Sequence, residues 1–457
     1  MKKSTSFIYY FFFVLITLII SSCDNNASHE NPEVVTEAYN LPLISINTNG
    51  ETIIDEPKIN AQMSISHADT VFYDGNIGIE IRGASSQSFP KKSYGLETRD
   101  AANEDLSVSL FNMPEEEDWI FYGPYSDKSL IRNRLIYDLA REIGRYSSRC
   151  EFAELTINHQ FKGLYVFMEK LKRDKGRIDI NKLNADENSG DDLTGGYILK
   201  IDKTAGSNLG EGYNDQNSFE STYDPLHATA SQSIHFLYEY PKAEDITAEQ
   251  KNYISTYITS FENALAAADF KDPNTGYAPY IDVNSFIDFF LLNELSNNVD
   301  GYRLSTFMYK DKKDKLVMGP IWDFNLAFGN ADYCGGGDTN VWAYRFNERC
   351  SNDYWQVPFW WERLLQDPNF VSQLKLRWNE LKGSAFSESQ IIAKIDDYTA
   401  ILEKSKAIEK NFLVWPVLGT YVWPNNYVGT TYDEEITYLK DWIHDRILWL
   451  DGAINGL

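Results

Sequence analysis

Two aspartates in neighbouring blocks carry the clearest chemistry in this chain. Asp300 stands in "NNVDGYRLSTFMYKD" (297–311) and Asp323 in "GPIWDFNLAFGNADY" (319–333). The first block reads as a helix exit followed by a short strand pair, and the second sets its acid ahead of a glycine. Both carboxylates are therefore expected on adjacent strand ends. Carboxylates held there suit a divalent metal bound through oxygen, or a base working beside a metal ligand. The ordinary role of a single Asp-Gly, capping a helix or turn, stays open from these residues alone. The six histidines are dispersed without zinc spacing.

The elements that must position these acids change character along the chain. Segments 41–48, 51–66, 77–86 and 91–100 alternate apolar and polar residues and read as strands. In "DKSLIRNRLIYDLAREIG" (127–144) the apolar residues recur every three or four positions, predicting an amphipathic helix with Asp127 as N-cap and Gly144 as its stop. Residues 150–171 predict a hairpin turning at Asn158-His159-Gln160, and "GGYILKID" (195–202) a strand between long loops. Helices are expected at 247–269, 282–300, 358–382 and 433–454, the last two with Trp and Leu stripes that read as core. The layout is α+β, with a strand-rich N-terminal half (about 40–202) and a helix-rich C-terminal half (about 245–457). The order of parts resembles that of a protein kinase: a strand and turn "EIRGASSQSF" (80–89), a strand with lysines "PKKSY" (90–94), a helix, two strands ending at "FMEKL" (167–171), a helix, then two acids.

A net charge of −25, from 42 Lys and Arg against 67 Asp and Glu, excludes unspecific binding to nucleic acid. Lys2 and Lys3, the apolar run 7–20 and Ser21-Ser22-Cys23 predict an export signal over 1–22. "LIISSC" is similar to a bacterial lipobox, which implies lipid on Cys23 and a membrane attachment through it. Residues 23–39 hold almost nothing to bury and read as a flexible tether, leaving 40–457 as one folded unit. In an export compartment Cys334 and Cys350 could form a disulfide, while Cys150 reads as a buried thiol.

Taken together, "IRGASSQSFPKKSY", "DKSLIRNRL", "GLYVFMEKLKRDKGRIDI", "GGYILKID", "NNVDGY" and "WDFNLAFGN" resemble the CotH (spore coat protein H) kinase family from about residue 40 to 455. The tail "WPVLGTYVWPN" resembles that family's Bacteroidetes-type lipoprotein branch. The resemblance implies an atypical, two-lobed, protein-kinase-like fold that moves the γ-phosphoryl group of ATP, with Mg²⁺ or Mn²⁺, to Ser of a protein substrate on the exported side of the cell envelope. Asp300 would be the catalytic aspartate and Asp323 the metal-binding one. Ser305 and Asn325, where the family pattern has stronger ligands, would complete the metal site. Lys92, or Lys91 beside it, and Arg82 would hold phosphates, with Glu169 as a hinge or lysine partner. The run Gly335-Gly336-Gly337 is expected to form a lip beside Asp323. Two other classes remain open: a catalytically idle relative that binds or assembles surface proteins, and a glycan-handling surface lipoprotein, for which 11 Trp, 29 Tyr and 26 Phe leave room.

Overall fold

The period-two pattern of the first segments builds strands with two different faces. In the computed structural model, which describes residues 40–204, 212–230 and 232–457, these are β1 (Leu43–Asn47), β2 (Ile59–His67), β3 (Thr70–Arg82), β4 (Ser93–Arg99) and β5 (Asp118–Tyr122). The export signal, Cys23 and the 23–39 tether lie outside the described residues. Helix α1 (Arg132–Glu142) and the hairpin of β6 (Cys150–Ile157) and β7 (Gln160–Glu169) follow. The seven strands close into a barrel in the order β1-β2-β3-β4-β5-β7-β6, sealed by parallel pairing of β1 with β6. Closure leaves no strand edge to be protected. Asn158 and His159 turn the hairpin with φ of 49° and 63°, the left-handed pair that a two-residue turn needs.

Alternation assigns each barrel residue to one of two cores. Trp119, Phe121, Tyr165 and Phe167 fill the barrel with Ile44, Met63 and Ile77. Their neighbours Ile120, Val166 and Met168 face the other way and pack in one larger core with Leu135, Ile136 and Leu139 of α1.

A second, wholly antiparallel sheet has the order β12-β11-β8-β10-β9. It contains β8 (Tyr197–Ile201), β9 (Ser218–Glu220), β10 (His235–Tyr240), β11 (Thr306–Lys310) and β12 (Leu316–Met318). The strand-rich N-terminal half therefore does not hold all the strands: β8 pairs with β11, which follows Asp300 in sequence, and not with the barrel. Gly195 lets the two approach, since a Cβ there would lie 1.9 Å from the Asp311 carbonyl carbon.

Helices α2 (Ala248–Ala266) and α3 (Val283–Ser296) connect β10 to β11. Each starts at a side-chain cap: Thr247 with Gln250 in a reciprocal capping box, and Asp282 accepting from the Ser285 backbone. The chain ends in α4 (Phe346–Arg349), α5 (Trp360–Leu364), α6 (Pro368–Lys382), α7 (Glu388–Lys404), α8 (Ala407–Val414) and α9 (Tyr432–Asn455). α3 is buried on every side, the mark of a central helix. Trp360, Trp361, Trp378 and Trp442 pack around the large core. Tyr39–Leu457 forms one unit by its contacts, and no helix among the described residues is long and apolar enough to cross a membrane.

Several expected boundaries move: the strand expected at 77–86 is β3 from Thr70, and the helix expected over 358–382 is divided into α5 and α6 with Asp367 as the N-cap of the second. Strand β2 begins at Ile59, not at residue 51, and α1 begins at Arg132, not after Asp127. Asp127 is turned into the core instead. Its Oδ1 accepts from Arg132 at 2.6 Å and from Ser129 at 2.6 Å, and its Oδ2 from the Arg132 backbone at 3.0 Å. Arg132, equally buried, also donates to the carbonyls of Ala327 (3.1 Å) and Phe328 (3.5 Å). Replacing Arg132 by Met strands a buried carboxylate and is expected to cost about 3–5 kcal/mol. Urea unfolding measures this, and adding Asp127→Asn should return part of the loss.

Candidate active site

Asp300 sits where α3 ends. Asn297 closes the helix in the left-handed conformation and donates to the carbonyls of Gly335 (2.8 Å) and Asp338 (3.0 Å). Two donors then hold the Asp300 carboxylate, Arg303 at 2.7 Å and the Tyr333 hydroxyl at 3.1 Å, and both fall on Oδ1 rather than Oδ2. Arg303 is buried, with its guanidinium 3.9 Å over the Phe346 ring.

Asp323 is carried by a loop fastened to α1. Its backbone N–H donates to the Tyr137 hydroxyl at 3.0 Å, and that of Phe324 to Asn133 Oδ1 at 2.8 Å. Trp322 stacks on Tyr137 and takes the Arg82 guanidinium over its face at 5.7 Å. Tyr302, Ser305, Asp323 and Phe328 all have positive φ, between 48° and 70°, at a cost of roughly 1 kcal/mol for each non-glycine residue. Strain of this kind gathers where the surrounding structure over-determines a geometry.

Both acids line a cleft of about 490 Å³, well within the range of small-ligand sites. Asp202, just past β8, is a third aspartate in it, beside Glu239 and Asp353, and the cations are Arg82, Lys170, Lys200, Lys203 and Arg303, the last engaged with Asp300 and Asp353. Water reaches Asp323 through the cleft while protein crowds it from behind. That enclosure, with the charges of Asp300 and Asp202, pushes its carboxyl up to about 6 against the pull of Lys203 and Arg82. Enclosure also raises Asp202, although Lys200 and the N–H groups of Lys203 and Ser305 oppose it. Lys200 pairs with Glu239 at 3.1 Å. Burial works against the Glu239 carboxylate, yet Lys200 and Lys242 hold it down at about 2. Gly83 (φ 104°) turns the chain after β3 so that residues 83–86 line the same cleft, and Lys203 ties this turn by donating to Ser85 at 3.1 Å.

The donors here are oxygens throughout, which matches magnesium or manganese rather than a soft metal. Three ligand atoms come within 4.8 Å of one another at His227, Glu348 and Glu362 and at Glu116, Glu117 and Asp118, and not at the cleft acids. The cleft residues therefore fit an ion shared with phosphate oxygens, the usual manner of Mg²⁺, better than a dedicated protein cage. In the Glu116 group, Lys172 already occupies the centre, at 2.6–2.9 Å from all three carboxylates.

Asp300, Asp323, Ser305, Asn325 and Arg82 thus meet in one cleft. Lys92 and Lys91 do not join them. Lys92 donates to the Gln87 carbonyl at 2.6 Å, and Lys91 is buried against Asn411 Oδ1 (2.8 Å) with its ammonium over the Tyr165 ring. Both precede the first residue of β4, and the packing of α8 draws Lys91 away. Glu169 is also off the cleft. It is wholly buried beneath Arg149, which donates from its side chain (2.7 Å) and its backbone (2.9 Å), while its strand neighbours Met168 and Lys170 face the cleft. The glycine run 335–337 forms no lip. It is tucked against Asn297, Arg349 and Asn426, and the Gly337 carbonyl accepts from Trp442. Cys334 and Cys350 are joined in a disulfide, and Cys150 is a buried free thiol pushed up by burial.

The sequence reading passed over Asp202, Lys200 and Lys203, although a signal was present. In "YILKIDK" strand alternation puts Lys200 and Asp202 on one face. Lys170 and Glu239 carried no such mark.

Residues 79–450 match the family described as CotH kinase protein. The chain is also similar to the inner spore coat protein H of Bacillus subtilis (strain 168), at 24% identity over 254 residues. That stretch is 56% of this chain and 59% of the relative, so the chain spans less than two thirds of the relative's length.

Asp323 binds its proton near pH 6 in the folded chain, against about 3.9 for an unfolded aspartate. Between those values the folded state holds the extra proton, so this group makes stability fall as pH rises from about 4 through about 6, and leaves it at the lower level above. Asp323→Asn should therefore raise Tm at neutral pH, with the gain shrinking toward zero near pH 4. A gain independent of pH would contradict the assignment.

Proposed function

The chain belongs to the CotH kinase family, and from that premise we propose that its cleft transfers the γ-phosphoryl group of ATP to a serine hydroxyl of a protein substrate. The observation that carries this reading is the meeting of Asp300, Asp323 and Asp202 with Arg82, Lys170, Lys200 and Lys203 in one cleft. Phosphoryl transfer demands alignment and charge neutralisation more than covalent chemistry, and such a mixture of charges supplies both. Asp300, with Oδ1 already engaged, offers Oδ2 to the serine hydroxyl and takes its proton as the oxygen attacks phosphorus. The bond from the γ-phosphorus to the bridging oxygen breaks, and ADP leaves with that oxygen. Arg82 and the backbone of residues 83–86 line the cleft where they would meet the phosphates, and Lys200, held by Glu239, would add positive charge there. Asp323, with Asp202, Asn325 and Ser305 in the same cleft, would hold Mg²⁺ or Mn²⁺, which would neutralise the phosphate oxygens. Asp202 adds a carboxylate that offsets the weaker Asn325 and Ser305.

In this reading the barrel with α1 is one lobe, the second sheet with the helices is the other, and the cleft opens between them in the manner of an atypical kinase. The signal over 1–22 and Cys23 support an exported, lipid-anchored protein of the cell envelope, with a protein acceptor on the exported side.

Purified protein lacking residues 1–22 is expected to gain thermal stability from ATP with Mg²⁺ or Mn²⁺ and to phosphorylate itself or a casein-like serine substrate. Asp300→Ala and Asp323→Ala should each lower turnover by about a hundredfold or more. No nucleotide-dependent stabilisation with any of several divalent metals would overturn the reading and favour a binding or assembly role.

A further inference from the structure

One group that holds Asp300, and the carboxylate that grips the other, flank the two ends of one covalently closed loop. Tyr333, which donates to Asp300 Oδ1, is the residue before Cys334. Arg303, the second donor to that oxygen, is itself gripped by Asp353 at 3.2 Å and by the Trp355 carbonyl at 3.3 Å, just beyond Cys350. The Cys334–Cys350 disulfide joins these ends across a separation of 16 residues. Within the loop Arg349 donates to the Cys334 carbonyl at 2.8 Å and to that of Trp342 at 2.9 Å. Outside it, the Tyr333 ring lies parallel to Trp423, with 6.2 Å between centroids.

We propose that Tyr333 and Asp353 are positioning residues for Asp300, and that the Cys334–Cys350 disulfide keeps the two in register. Two donors on one carboxylate oxygen fix the rotation of the group and leave the other oxygen to the acceptor. Neither of the two positioning residues is fixed by regular structure. Tyr333 is in a loop, and Asp353 lies past the four-residue α4. A crosslink between them removes the freedom by which one end of the loop could drift from the other. The kinetic side of this inference rests on the phosphoryl-transfer reading, whereas the mechanical side rests on geometry alone. A disulfide that only stabilised the fold would leave kcat of the folded protein and local motion around Asp300 unchanged.

The test uses Tyr333→Phe, the pair Cys334→Ser with Cys350→Ser, and all three changes together, in otherwise full-length chain. Tyr333→Phe keeps the ring against Trp423 and removes one hydrogen bond to a carboxylate, so kcat should fall about tenfold with KM for ATP unchanged. The cysteine pair should act in the same direction, and the triple variant should lose less than the product of the separate losses. Amide hydrogen exchange should quicken over 298–305 in the cysteine-pair variant and stay as it was in α9. An unchanged kcat in Tyr333→Phe, fully multiplicative losses, or unchanged exchange over 298–305 would each overturn the proposal. If the unaltered chain transfers no phosphoryl group, the catalytic reading fails, and the exchange measurement by itself decides whether the disulfide positions Asp300.

Discussion

The buried ion pair of Arg132 and Asp127 is the constraint on which the cleft depends. It lies at the start of α1, and the same guanidinium reaches the carbonyls of Ala327 and Phe328, in the segment that follows Asp323. On the same helix, Asn133, next to Arg132, and Tyr137, just over a turn further on, take the backbone N–H groups of Phe324 and Asp323. A segment with no regular structure is thereby bonded to a helix whose apolar face shares a core with the outer face of the barrel. Burying two charges is expensive, and attraction repays it only when every donor and acceptor is met. Here the carboxylate has three donors, and the guanidinium has acceptors in two elements, so the pair works mainly as a rigid joint. Glu294 and Arg446 do the same for the other acid. Glu294 on α3 accepts from Arg446, Tyr302 and the backbones of Ala343 and Tyr344, and locks the helix that delivers Asp300 against α9.

These joints allow the cleft to hold charges that repel each other. Asp202, Asp300 and Asp323 would relax apart on a mobile scaffold, but here they are kept in one cavity, and the raised Asp323 carboxyl records the cost. The left-handed backbone at Tyr302, Ser305 and Asp323 records it as well. Both costs fall at the same place, as expected of a site shaped for a ligand that brings positive charge with it. Lys200 with Glu239 is arranged differently, as an ion pair in which each group holds the other's charge. The aromatic content is mostly structural: Trp360, Trp361 and Trp378 are fully buried, and only a minority such as Trp355 and Trp423 border the cleft.

Much of this was legible in the amino-acid order, and what escaped did so for physical reasons. The barrel strands, the hairpin at Asn158-His159, and the helices at 248–266, 283–296 and 432–455 follow from period, caps and turn residues, all local properties. Asp300 and Asp323 were found because each sits in a short block with its own helix exit or turn. Lys92 and Glu169 were misplaced because charge type and rough position do not say which way a side chain points. For Glu169 the deciding fact was strand parity, and for Lys91 it was a contact with Asn411, 320 residues away. The start of α1 was misjudged for a related reason, since Asp127 looks like an N-cap until Arg132 draws it inward.

The sequence by itself determined the α+β character, the kinship to the CotH kinases and the two acids of the cleft, because each is written in neighbouring residues. Tertiary structure alone decided that β8 leaves the barrel to pair with β11, bringing Asp202 and Lys200 to those acids. It also decided that the residues flanking the Cys334–Cys350 loop hold Asp300, Tyr333 directly and Asp353 through Arg303. These are choices between distant partners, and they depend on which surfaces bury together and which charges find a counterpart, quantities that no local pattern contains.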